Sequence, residues 1–217
     1  MNMEKGYMKT YKWVIGLLKD LDFIGAAKRL GLRLISNDEA ELDFLGRTYS
    51  IARDAVSLKS ERIIWDKASE EFDFNVRSVL GYYALSESDV QPTGDFRLLS
   101  SFSHGVFASG ASSFEKMASP LSIAYGADYG KFREAALKLG MKDEGLQGNG
   151  KKWHYELLPK MPVKLIYYEG DDEFPTDIKI LFDSTAIQVY KFEPLAVLNG
   201  CFAHGLACMG KAFPVGA

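Results

Sequence analysis

Cysteine and histidine are scarce in this chain: two and three, respectively, among 217 residues. Two thiols cannot form the framework of a small disulfide-stapled secreted domain. They are also too few to hold a four-thiolate iron–sulfur cluster within one chain. No charge of one sign dominates, because 26 Lys and Arg stand against 29 Asp and Glu for a formal charge of −3. The strongly basic footprint of a nucleic-acid binder is therefore missing. Long apolar runs are absent too. The segment Trp13-Val14-Ile15-Gly16-Leu17-Leu18 is interrupted by Lys19 and Asp20, well short of the roughly 18 residues needed to span a bilayer. It has neither the length nor the cleavage site of a secretory signal. The expectation is a cytoplasmic protein with reduced thiols and no membrane or nucleic-acid partner. No repeat and no low-complexity segment is present.

Several catalytic signatures are missing as well. There is no Gly-x-Ser-x-Gly elbow, no His-Glu-x-x-His and no Cys-x-x-Cys. Gly148-Asn149-Gly150-Lys151 lacks the spacing of a phosphate-binding loop. No Gly-x-Gly-x-x-Gly follows a strand-like run, so a dinucleotide site has no support.

What is present is ordinary globular material, 47% hydrophobic and 25% charged. Tyr11, Val14, Ile15, Leu18 and Leu21 recur at helical spacing, and a second helix is expected between Asp22 and Gly31. Ala40, Leu42 and Phe44 then alternate with acidic residues, Leu45-Gly46-Arg47 turns the chain, and Tyr49 and Ile51 resume the alternation, which predicts a hairpin. Residues 63–85 return to helical spacing, and 96–102 read as a strand. Ser112 and Glu115 have capping-box spacing. Pro120 is placed to start a helix, and Asp128 to Gly140 bracket another. Residues 145–152, with three glycines, read as an exposed loop. Runs 153–157, 163–168 and 178–182 read as strands, 187–190 as a possible fourth, and 195–209 as a helix. Helices and strands come in separate runs, which predicts an α+β fold: an antiparallel, hairpin-connected sheet with helices packed around it. One domain over 1–217 is expected, the alternative being a small lobe over 1–60 against a larger domain over 61–217.

Three groups of residues carry possible chemistry. Cys201, His204 and Cys208 fall on one helical face, and thiolate with imidazole is a ligand set for zinc or another soft metal. The two cysteines lie about 10.5 Å apart along the helix, so a metal takes only one of them with His204. The alternative role is that of small hydrophobes in a core helix. Asp171, Asp172 and Glu173 make an acidic turn that, with Asp183, offers oxygen ligands for a divalent cation and hence a metal-dependent enzyme; a simple solvated turn is the other reading. His104, in Ser103-His104-Gly105, sits in a small-residue segment where a backbone can approach a ligand closely. Tyr82-Tyr83 and Tyr167-Tyr168 can line a pocket for a large flat ligand, and aromatic residues equally fill cores.

Pro92-Thr93-Gly94-Asp95-Phe96, the Phe132 helix ending Lys-Leu-Gly, and the run from Pro159 and Pro162 through Val163-Lys164-Leu165-Ile166-Tyr167-Tyr168-Glu169-Gly170-Asp171-Asp172-Glu173-Phe174-Pro175 to Ile180-Leu181-Phe182-Asp183 resemble a bacterial and archaeal family of unknown function. These blocks extend from about Phe72 to Leu198. Members of that family occur mainly in anaerobes. Some carry an iron–sulfur segment, which this chain lacks, and many accompany corrinoid methyl-transfer systems. The resemblance implies a role in anaerobic one-carbon metabolism and a corrinoid such as cobalamin as ligand. His104 would then be the axial ligand, with Ser103, Gly105, Tyr167 and Tyr168 as further contacts. A non-catalytic docking partner of a methyltransferase system is the remaining alternative. The Asp-x-His-x-x-Gly motif of the common corrinoid-binding fold is absent, so binding would need a different architecture.

Overall fold

The computed structural model describes residues 5–63, 69–102 and 119–212. His104, Ser103, Gly105 and the Ser112–Glu115 capping box lie outside the described residues. Among the described residues are seven helices and nine strands, which make an α+β protein.

The first unit is helix α1 (Gly6–Leu18), helix α2 (Phe23–Leu30) and a four-stranded antiparallel meander. The meander runs β1 (Arg33–Ser36), β2 (Glu39–Phe44), β3 (Arg47–Ala52) and β4 (Val56–Glu61), in that spatial order. The β2–β3 connection is the two-residue Leu45-Gly46 turn, with both φ angles positive at 53° and 75°. That is the backbone hand a tight hairpin needs. Asp22 caps α2 by accepting from the Gly25 amide, and Gly31 closes it in the left-handed region.

Helix α3 (Glu70–Ala84), capped by Ser69, crosses to the second unit. There the spatial strand order is β5 (Phe96–Leu98), β9 (Asp177–Asp183), β8 (Met161–Tyr168), β7 (Gly150–Leu158) and β6 (Lys142–Gln147), all antiparallel. Helices α4 (Ser119–Tyr125), α5 (Tyr129–Leu139), α6 (Ala186–Val189) and α7 (Phe192–Ala212) pack with it. Phe132 of α5 meets Trp153 and Tyr167 of the sheet, and Phe202 of α7 stacks on Tyr155. Asp128 caps α5 and Gly140 ends it, as the sequence predicts.

Three expectations are corrected. Residues 187–190 are not a strand: α6 occupies 186–189, because the chain turns sharply after Asp183 and the short apolar run carries no period that separates strand from helix. The expected loop at 145–152 is the β6–β7 hairpin; β6 is exposed along its whole length and so shows no apolar alternation. The strand expected over 96–102 stops at Leu98 and tightens into a 3-10 turn over Leu99–Phe102. Strands β1 and β4 carried no clear sequence signal, since β1 is exposed throughout and β4 over its second half.

One buried cluster runs through both units, from Val14 and Phe44 to Trp153 and Met209. Tyr83 is its polar pin. Its hydroxyl donates to the Leu30 carbonyl (2.8 Å) and accepts from the Lys160 amide (3.1 Å), tying the end of α2 to the β7–β8 turn. Tyr190 stacks on the Tyr83 ring and donates to the Val79 carbonyl at 2.6 Å. Replacing Tyr83 by Phe removes both bonds while keeping the ring, leaving a buried carbonyl and an amide unmatched. The expected cost is about 2 kcal/mol, a fall of about 6 °C in the thermal unfolding midpoint. An unchanged midpoint in calorimetry refutes this role for the hydroxyl.

Candidate functional site

The end of the five-stranded sheet where β8 leaves and β9 enters carries an open cleft of about 1350 Å³. Its floor is Tyr168 of β8, paired with Asp177 of β9, and Lys179 two residues further along β9. One wall is the β8–β9 loop from Glu169 to Thr176, the other is Ser122 and Ile123 of α4 with the Gly126-Ala127 turn, and Asn149 of the β6–β7 turn completes the rim.

The loop wall is built by its own sequence. Asp171 Oδ1 accepts from the amides of Glu173 and Phe174 at 2.9 and 2.7 Å, and the Asp171 amide donates to the Phe174 carbonyl at 2.8 Å. Those amides hold the Asp171 carboxyl below its ordinary value. Gly170 is required by close approach, because a Cβ there would lie 2.6 Å from the Thr176 nitrogen, which also anchors this loop through its hydroxyl. The result is a tight turn that holds Phe174 outward, 67% exposed, while Ile123 on the α4 side is 78% exposed. On the far side Tyr167 donates its hydroxyl to the Gly126 carbonyl at 2.6 Å, fixing the α4–α5 turn that forms the cleft wall. Lys151 pairs with Glu169 and lies 3.7 Å above the Tyr129 ring.

The structure thus brings together Tyr168, Asp171 and Asp172 of the residues singled out in the sequence. Tyr167 is fully buried behind the cleft, and Glu173 is on the loop but does not line the cleft. Asp183 lies at the other end of β9, 1% exposed. Its carboxylate accepts from the amides of Thr93, Gly94 and Thr185 and from the hydroxyls of Thr93 and Thr185, at 2.6 to 3.2 Å. Burial pushes its pKa up, and these donors outweigh that and hold it below 3.8. It is a latch joining the Pro92-Thr93-Gly94 block to the Leu181-Phe182-Asp183 block.

Cys201 and Cys208 are both buried in α7, and burial pushes the Cys201 thiol up to about 12, so it stays protonated at neutral pH. His204 is exposed on the same helix, its ring 4.7 Å from that of Phe72. His154 sits on β7, 2.8 Å from Glu156 and edge-on to Phe96. Among the described residues, no group of three His, Cys, Asp or Glu side chains is arranged to hold a metal ion. Sequence reasoning missed Ser122, Ile123, Asn149 and Lys179, which reach the cleft through tertiary packing; an aromatic residue inside the Glu173-Phe174-Pro175 turn was the one local sign that this loop presents an apolar surface.

Fold and cleft together define an α+β protein with a loop-walled recess at the end of an antiparallel sheet. The chain belongs to a family described as a domain of unknown function, DUF3786, whose profile matches residues 22–204. That match takes in both sheets, beyond the blocks from Phe72 to Leu198 on which the resemblance rests. No curated protein and no solved structure matches the chain. No helix among the described residues is long and apolar enough to cross a membrane.

The latch makes a pH-dependent prediction. A carboxyl whose folded pKa lies below its unfolded value stabilises the fold above that unfolded value, and the contribution fades as pH falls through the folded one. Asp183→Asn places an amide donor against the Thr93 and Gly94 amides, and the expected loss near neutral pH is about 3 kcal/mol. In denaturant unfolding the gap between wild type and Asp183→Asn should narrow as pH drops below about 4. A gap independent of pH contradicts the latch.

Proposed function

We propose that this protein is a cofactor-binding accessory protein of the cytoplasm that takes a large ligand, of the corrinoid class, in the cleft at the end of the five-stranded sheet. The observation that carries the reading is the cleft itself. Its volume of about 1350 Å³ exceeds the roughly 300–1,000 Å³ of pockets for drug-sized molecules. A single ring, Tyr168, lies on its floor, and apolar side chains project from both walls. The class of ligand comes from the family resemblance. A corrinoid combines a flat macrocycle with a rim of amide groups, and the cleft pairs an aromatic floor and apolar jaws with carboxylate and amide acceptors. Neither His154 nor His204 lines the cleft; the axial ligand that the resemblance implies is His104, which lies outside the described residues. No catalytic step is assigned to the site.

The test is an absorbance titration of the full chain with cobinamide and with cobalamin, followed by gel filtration. Retention of the corrin band with the protein supports the reading. Phe174→Ala should then weaken binding about tenfold by removing one jaw. A His104→Ala variant that leaves the bound spectrum unchanged removes that residue as axial ligand without touching the cleft. Protein that passes through the column colourless overturns the corrinoid reading. In that outcome, stoichiometric zinc or iron by elemental analysis favours the metal-dependent alternative, and co-elution with a methyltransferase-system protein favours the docking alternative.

A further inference from the structure

The charges around the cleft are lopsided, and they set what it accepts. Among the described residues, Glu169, Asp171, Asp172 and Asp177 line it against a single lysine, Lys179. That lysine is drawn inward: its ammonium lies 3.8 Å from the Asp177 carboxylate and 6.0 Å from the centre of the Tyr168 ring. Lys151 reaches Glu169 from behind the rim, but it does not line the recess. Even with both lysines counted, the carboxylates are in excess. The chain as a whole is close to neutral at −3, so this concentration of negative charge belongs to the cleft rather than to the surface at large. A concave site focuses such a field. The two large apolar residues of the walls, Ile123 and Phe174, are at the same time among the most exposed large hydrophobic side chains of the described residues, which supplies an apolar contact that charge alone would not.

We infer that the cleft selects amphiphilic ligands that present positive charge or N–H donors, and that it turns away ligands whose net charge is negative. The inference rests on the reading of the cleft as the ligand site and narrows its chemistry. Carboxylates accept N–H bonds from amides and ammonium groups and repel other carboxylates across the same distances. Tyr168 offers its ring face to a cation or a flat conjugated system. For a tetrapyrrole-type cofactor, the consequence is a place in a reaction sequence: the peripheral acids must already have been converted to amides before the molecule enters this site. A polycarboxylate macrocycle would carry its negative groups into Asp172 and Asp177.

The experiment compares two dyes of similar size and opposite charge, crystal violet as the amphiphilic cation and anilinonaphthalene sulfonate as the anion, titrated into the full chain at low and high salt. The expected result is that crystal violet binds at least about tenfold tighter than the anion, with affinity falling several-fold between about 20 mM and about 300 mM salt. Phe174→Ala should weaken crystal violet, which locates the binding in the cleft. Asp172→Asn with Asp177→Asn should weaken it further and improve the anion. Lys179→Glu should tighten crystal violet, a gain that a merely damaged fold cannot produce. Equal or tighter binding of the anion overturns the inference, as does cation binding indifferent to Asp172, Asp177 and Lys179. The two readings fail separately. If cobinamide does not bind but crystal violet behaves as described, the corrinoid assignment falls and the charge selection stands. If cobinamide binds without any preference for the cation, the reverse holds.

Discussion

Asp183 closes the C-terminal end of β9, where its carboxylate gathers three backbone amides and two hydroxyls from two segments ninety residues apart in sequence. The geometry of the site depends on this. Strand β9 lies between β5 and β8, so a fixed end sets its register against both. The other end of the same strand carries Asp177 and Lys179 into the cleft. A slip of one residue in β9 would turn every side chain of the strand to the opposite face, removing both from the recess and placing Ile178 and Ile180 in water. The latch and the cleft are thus two ends of one constraint.

A second constraint holds the walls. The β8–β9 loop folds on Asp171 and Thr176, and Gly170 lets their backbones come together. The opposite wall is fixed from the core, through Tyr167 to Gly126 and through Tyr125, whose hydroxyl donates to the Leu206 carbonyl at 2.6 Å. Burial pushes the Tyr125 phenol well up, so it stays a donor throughout the physiological range. Rigid polar anchors on each side leave Ile123 and Phe174 exposed on the two walls.

Much of the fold was legible because its signals are local. Asp22 with Gly31, and Asp128 with Gly140, announce their helices by capping chemistry, and Leu45-Gly46 announces its hairpin by turn chemistry. Strands buried on one face showed their alternation; β1 and β6, exposed along their lengths, had none to show. The site was legible only in part for the same reason. The acidic segment stood out as a cluster of carboxylates, but one carboxylate proved to build the loop, another to line the cleft and a third, Asp183, to lock the far end of the strand. Spacing along the chain does not distinguish these roles, since each depends on which amides the fold brings within reach. The Cys201, His204, Cys208 face of α7 was a correct reading of helical geometry, yet packing buries the two thiols and leaves the imidazole on the outside.

The most direct test of the account is hydrogen–deuterium exchange of the full chain with and without cobinamide. Exchange reports local opening segment by segment, so it locates a ligand without any substitution. The account predicts slowed exchange in residues 122–127 and 168–179, the two walls and floor of the cleft, with the α7 helix unaffected. Protection confined to α7, or no change anywhere under conditions that saturate the protein, would contradict it.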